Sequence, residues 1–276
     1  MPSGSSGEVI MLFEKFYDAG AGGYDQGFGR VSREFVPRLL EAARVAPGNR
    51  VLDIATGTGI AAEIAAEAVG PSGHVVAADI SRPMLDWARE RLGGLPNTSV
   101  SREDGQALTL PDGSFDAVLC SLALMLFPDP GRGLSEFRRV LREGGRAAVS
   151  VNTTAERSFA TRINVAIGRH VPSRAAAAAH YFSLGDPGHL RALFETAGFR
   201  EVEIASEARR YGFPSFDAYF EHFERGSGVI GTEYAALPDD VRRAVREDVR
   251  RELEGDAYPG DPVEVPVEVL FGSGRK

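Results

Sequence analysis

Apolar residues along the chain follow two periods. Short apolar runs at 51–54, 74–78, 97–102, 115–121 and 146–151 read as strands. Between them, apolar residues recur every three or four positions, the spacing of one helix face. Val31, Phe35, Val36, Leu39, Leu40 and Ala43 form the first stripe, closed by Pro47-Gly48. Ile60, Ala61, Ile64, Ala65 and Ala68 form the second, and Met84, Leu85, Ala88 and Leu92 the third. Leu134, Phe137, Val140 and Leu141 form the fourth, stopped by Gly144-Gly145. This alternation predicts an α/β fold: a mostly parallel sheet with helices on both faces.

After residue 151 the pattern changes. Residues 154–182 read as largely helical. Asp186 and Pro187 open a helix that Gly198 ends. A sixth strand is expected at 202–205. A helix follows from Ser215, with Phe216, Tyr219, Phe220 and Phe223 on one face, and another covers 238–254, its Arg-rich 242–251 stretch reading as a solvated face laced with Glu247 and Asp248. Val263, Val265, Val267 and Val269 alternate with other residues as in a seventh strand, where Pro266 signals an edge or a bulge. Three segments result: a tail and lid at 1–23, a core at 24–153, and a part at 154–276 that completes the sheet and inserts a helical cap.

Composition narrows the function classes. The 276 residues carry a formal net charge of −8, which argues against a nucleic-acid surface. The single cysteine, Cys120, cannot make an intrachain disulfide and suits a reducing cytoplasm. No apolar run is long enough to insert in a membrane. No His, Cys, Asp and Glu set has metal-ligand spacing, so no metal is expected. Oligomeric state stays open.

The chemistry concentrates at 51–59, Val-Leu-Asp-Ile-Ala-Thr-Gly-Thr-Gly. A strand entering a glycine turn and then a helix lets a ligand approach the backbone closely. Gly57 to Ala62 fits the loose G-x-G-x-x-G/A pattern, and Asp79 lies 20 positions after Gly59, as a ribose contact would. That pairing alone suits NAD(P). Asp53, however, precedes the glycines, where a carboxylate would repel a pyrophosphate and attract a cation. Asp104-Gly105 follows the third strand, where a carboxylate could accept from an adenine amino group.

Together, 51–59, 75–79, 103–107, 111–121 and 139–145 resemble the class I S-adenosylmethionine-dependent methyltransferases, in the subgroup that holds the ubiquinone and menaquinone C-methyltransferases. The resemblance spans about residues 24–205. Ala55 stands where the commoner family pattern has glycine. The resemblance implies a Rossmann-like fold and S-adenosylmethionine as cofactor. It places Asp53, Ala55, Gly57 and Gly59 at the methionine end and Asp79 on the ribose hydroxyls. Ile80 and Met84 would sandwich the adenine, although Met84 serves equally well as core. Asp104 would read the adenine amino group, with Gly105 and Gln106 nearby. Ser121 would border the methyl path. Tyr24 would be a lid residue or plain packing.

The implied reaction is methyl transfer to a small, largely apolar organic acceptor, a natural-product or quinone-like intermediate, enclosed by the aromatic cap. His180 and Tyr181 are the candidates for positioning that acceptor or removing its proton. His170 and His222 also lie in the cap. An NAD(P)-dependent oxidoreductase and a non-methylating cyclase of the same fold remain alternatives. Asp79→Ala is expected to weaken S-adenosylmethionine binding by about 1–3 kcal/mol, measured by calorimetry.

Overall fold

The computed structural model describes residues 29–226, 228–255 and 261–276. Its strands are β1 (Arg50–Ile54), β2 (His74–Asp79), β3 (Thr98–Arg102), β4 (Phe115–Ser121), β5 (Leu141–Asn152), β6 (Arg200–Phe213) and β7 (Val263–Arg275). Its helices are α1 (Arg30–Ala42), α2 (Ile60–Val69), α3 (Arg82–Leu92), α4 (Pro130–Val140), α5 (Thr161–His170), α6 (Ala175–His180), α7 (Pro187–Thr196), α8 (Phe216–Glu224), α9 (Gly228–Ala235) and α10 (Asp239–Glu254).

The strands form one seven-stranded sheet in the order β3-β2-β1-β4-β5-β7-β6. Every pair from β3 to β5 is parallel. Only β7 runs against its neighbours. Side chains on a strand alternate between faces, and the two cores follow that rule. Val51, Ala117 and Leu119 pack with α1 and α2, whereas Leu52, Val118 and Cys120 pack with α4 and α7. The chain order reverses between β1 and β4, so the crevice at their carboxyl ends is where an open sheet of this kind holds ligands.

Local signals start the helices as expected. The Ser81 hydroxyl accepts from Met84 N, and the Ser215 hydroxyl accepts from Ala218 N. Asp129 and Asp186 accept from Arg132 N and His189 N, each with proline following.

Three features of the backbone differ from the sequence expectation. The 154–182 segment breaks into α5 and α6 around a 3-10 turn at Pro172–Arg174, because Pro172 lacks the N–H that would continue the helix. The helix α9 lacks an apolar stripe and two of its residues are glycine, so it left no periodic signal. Strand β6 runs on to Phe213, paired with Val263 of β7. Beyond the Asn152–Val269 pair, β5 has ended and β6–β7 continues as a two-stranded ribbon. Pro266 lies in this ribbon, on a strand that is central lower down and edge-like there. The chain after β5 covers that edge: Glu268 N donates to Arg157 O (2.8 Å), and Thr153 Oγ1 to Glu268 O (3.3 Å).

The ribbon and α8–α10 close on an aromatic core. Phe216, Tyr219, Phe220 and Phe223 are all buried. Ring centroids lie 5.2 Å apart for Phe216–Phe220 and Phe220–Tyr234, and 5.5 Å for Phe159–Tyr219. The arginines of α10 were expected on a solvated face. Instead Arg246 and Arg250 cross the Phe216 ring at 5.3 and 4.9 Å and reach Asp217. His170 bonds Asp248 at 2.9 Å. Truncating one of these rings leaves a cavity, so Phe220→Ala should lower the unfolding free energy by about 3–5 kcal/mol in urea denaturation.

Candidate functional site

The crevice is built by the turn between β1 and α2. Ala55, Gly57 and Gly59 all have left-handed backbones, with φ of 54°, 56° and 86°. Two glycines meet that demand freely. Ala55 does not, and a left-handed alanine costs about 1–2 kcal/mol. A Cβ at Gly59 would stand 3.3 Å from Ala88, so that glycine lets α2 approach α3. A Cβ at Gly57 would meet no protein atom within 4 Å.

Asp79 clamps this turn. Its Oδ2 accepts from Gly57 N and its Oδ1 from Ser81 N, both at 2.9 Å. Thr56 N adds a bond to Ala78 O across the same gap (3.0 Å). Burial pushes the Asp79 carboxyl above its ordinary pKa, and the N–H groups of Ser81, Gly57 and Ile80 pull it back. Each oxygen retains a lone pair for a further donor. Removing Asp79 therefore also loosens the turn, which puts the expected loss at the upper end of its range.

Asp53, on β1, is completely buried. Its Oδ2 accepts from the Thr56 hydroxyl (2.6 Å), but its Oδ1 has no hydrogen-bond partner. Burial raises its pKa to about 7; the Thr56 hydroxyl and the Ala62 N–H lower it, and the charge of Asp79 raises it. An unsatisfied buried carboxylate calls for a cation or a donor. The N–H of Ala62 in the first turn of α2 thus leans toward a protein carboxylate. A pyrophosphate here would face Asp53 and Asp79 together, which removes the NAD(P) reading.

The third carboxylate, Asp104, is half-buried after β3, and its Oδ1 accepts from Gln106 N (2.9 Å). Its neighbours have structural duties. A Cβ on Gly105 would fall 2.6 Å from the Phe127 ring, so this glycine permits close packing. The Gln106 side chain accepts from Asp129 N (2.8 Å) and its carbonyl from Arg132 Nε (2.8 Å), which directs it to the start of α4. Ile80 is half-buried, whereas Met84 is only 2% exposed, so packing claims most of Met84's surface. Ser121 ends β4, half-buried, beside Ser150. The following Leu122 has φ of 52°, and its N–H donates to Ser150. Tyr24 and the lid segment 1–23 lie outside the described residues.

The two proposed acceptor residues separate. His180 is exposed at the end of α6. Tyr181 is half-buried, and its backbone carbonyl accepts from Asn152 Nδ2 at the end of β5 (3.4 Å). Burial pushes the Tyr181 phenol up, the charge of Glu233 adds to the rise, and Asn164 offsets part of it. Such a phenol keeps its proton and serves as a donor, which disfavours a role as base. Asn164 and Glu233 gave no sequence signal, because a polar residue inside a helix marks nothing until its burial is seen. Among the described residues, no group of His, Cys, Asp or Glu could hold a metal ion, and no helix is long and apolar enough to cross a membrane.

Comparison with known proteins points the same way. A family profile described as Methyltransferase domain matches residues 52–149. The chain is 32% identical over 277 aligned positions to Nocamycin O-methyltransferase of Saccharothrix syringae, covering 94% of this chain and 96% of that protein. It is 37% identical over 150 positions to the Ubiquinone/menaquinone biosynthesis C-methyltransferase UbiE of Hydrogenovibrio crunogenus, covering 51% of this chain and 59% of that one. In fold it is similar to a crystal structure described as a putative methyltransferase from Bacillus halodurans, with a TM-score of 0.58 and 21% identity over 87% of this chain and 98% of that one. With the Asp53 crevice, the left-handed turn and a full-length relative in hand, the chain belongs to the class I S-adenosylmethionine-dependent methyltransferases.

Proposed function

We propose that this methyltransferase acts on a small, largely apolar organic acceptor of natural-product or quinone-like type, held beneath the helical cap. The observation that carries the methyl-transfer part of this reading is the buried, half-satisfied Asp53 carboxylate under an open glycine turn. It suits the cationic end of S-adenosylmethionine. That cofactor, when bound, supplies a methyl group on a sulfonium centre whose leaving group departs neutral.

The protein's share of the work is then alignment and exclusion of water. Asp53 offsets positive charge, and Ala55, Gly57 and Gly59 keep side chains out of the way at the methionine end. Asp79 holds the turn and accepts from the ribose hydroxyls with its remaining lone pairs. Ile80 packs against adenine, with a smaller share from Met84, and Asp104 accepts from the adenine amino group. Ser121 lies along the methyl path. Tyr181 positions the acceptor; the exposed His180 is the weaker candidate.

The apolar character of the acceptor needs a different basis from the one first expected. Phe216, Tyr219, Phe220 and Phe223 are committed to one another. Support comes instead from half-buried Tyr181 and Phe182 next to the end of β5. The full-length likeness to an O-methyltransferase favours an oxygen acceptor and transfer over cyclisation.

Two measurements test this. In differential scanning fluorimetry, S-adenosylmethionine and S-adenosylhomocysteine should raise the melting temperature and NADH should not; a shift with NADH alone would refute the reading. Asp53 supplies a pH signature. With a folded pKa of about 7 against 3.8 in the unfolded chain, the folded state retains a proton that the unfolded state has lost. Stability of the free protein should therefore fall as pH rises from about 4 to 7, by a few kcal/mol in total. Asp53→Asn should remove most of that fall, leaving the smaller part due to the raised Asp79 carboxyl, and should raise the melting temperature at pH 8 while weakening S-adenosylmethionine. Binding of the cofactor to the wild type should tighten with rising pH up to about 7, because only ionised Asp53 attracts a cation.

A further inference from the structure

A second group of incompletely satisfied polar side chains lies in the cap. Asn164, on α5, is 4% exposed, and neither its amide oxygen nor its nitrogen has a hydrogen-bond partner. It stands near enough to the Tyr181 hydroxyl to influence it, without a bond of ordinary length. Glu233, on α9, also acts on that phenol, and its side chain is 17% exposed. Arg174 Nη1, from the 3-10 turn, is 4.0 Å from Glu233 Oε2 and is buried without a hydrogen bond. Four chain segments converge here, and their polar atoms do not satisfy one another.

The place of the group matters as much as its chemistry. The segment after α6 rests directly on the carboxyl end of β5. A Cβ on Gly185 would fall 2.2 Å from Thr153 O, and Asn152 Nδ2 bonds the Tyr181 carbonyl. Ser150 of β5 pairs with Ser121, the residue that ends β4 beside the crevice. The group therefore belongs to the same end of the sheet as Asp53 and Asp79.

A buried amide left unpaired costs about 1–3 kcal/mol for each group, so its retention points to a ligand that completes it. We propose that Asn164, Tyr181, Glu233 and Arg174 form the acceptor-recognition site, and that it selects a neutral acceptor carrying a hydroxyl next to a carbonyl oxygen. The Asn164 nitrogen donates to the carbonyl and its oxygen accepts from the hydroxyl. The Tyr181 hydroxyl, which retains its proton, is a second donor to the carbonyl. Glu233 opposes an anionic acceptor, and Arg174 holds Glu233 in place. This rests on the methyl-transfer reading and names the acceptor class it left open.

The test uses the full chain saturated with S-adenosylhomocysteine, and benzoin as a neutral hydroxyketone probe against deoxybenzoin, which lacks the hydroxyl. Calorimetry should show benzoin binding the wild type at least about tenfold more tightly than deoxybenzoin, with Asn164→Leu erasing most of that preference and Tyr181→Phe weakening both probes alike, because they share the carbonyl to which its hydroxyl donates. Asn164→Leu should bind S-adenosylhomocysteine as the wild type does, and should melt at or above the wild-type temperature because it removes an unpaired amide. Equal affinity for the two probes, no benzoin binding, or a fall in melting temperature for Asn164→Leu would overturn the proposal. Failure of the wild type to bind S-adenosylhomocysteine would instead overturn the methyl-transfer reading beneath it, and this proposal with it.

Discussion

A carboxylate with no access to water and one oxygen unpartnered is the constraint on which the rest of the site depends. Asp53 sits on the interior strand β1, and two groups already lean toward it, the Thr56 hydroxyl and the N–H of Ala62 at the start of α2. In a dinucleotide-binding turn the N–H groups at the helix start would face a phosphate. Here the Ala62 N–H and the Thr56 hydroxyl soften a negative charge inside the protein and leave it incompletely neutralised. The glycine pattern is common to both kinds of turn. What separates them is the sign of the charge beneath it.

Geometry around that charge is rigid because neighbouring turns are tied together. Asp79 holds the β1 turn to the β2 turn through Gly57 N and Ser81 N. Glu103 N then bonds Asp79 O, and the Glu103 carboxylate holds Thr109. Gln106 fastens the next loop to the start of α4. The strained Ala55 persists within this frame. A left-handed alanine is tolerated when its surroundings over-determine the backbone, and Thr56 N and Gly57 N on its far side do so.

Local chemistry made much of this legible. Ser81, Asp186 and Ser215 announced their helices because a capping oxygen acts within three residues. The parallel core was readable because buried strands are continuous apolar runs. Asp53, Asp79 and Asp104 could be placed by their positions at or just beyond the ends of strands. Other features depend on partners distant in sequence. The 206–213 stretch, with Glu207, Arg209 and Arg210, does not look like a strand until Val263 to Leu270 lies opposite. Arg246 and Arg250 read as solvated until Phe216 and Asp217 are found beneath them. Gly105 and Gln106 fell in the right motif, yet their contacts are with Phe127 and Asp129.

The cap's aromatic residues illustrate why composition misleads about pockets. A ring that packs against five others cannot also enclose a ligand, so an aromatic-rich cap does not by itself imply an aromatic-lined site. Tyr219 touches Phe159, Phe213, Phe216, Phe220 and Phe223. That cluster gives the cap a core of its own, braced from outside by Arg246 and Arg250. Rigidity there has a use: methyl transfer gains from fixed alignment, and alignment is only as good as the wall that supplies it. Discrimination among acceptors then falls to the few polar groups that the aromatic core leaves unsatisfied, because an unmatched polar contact rejects a wrong ligand far more strongly than a misfitting apolar one.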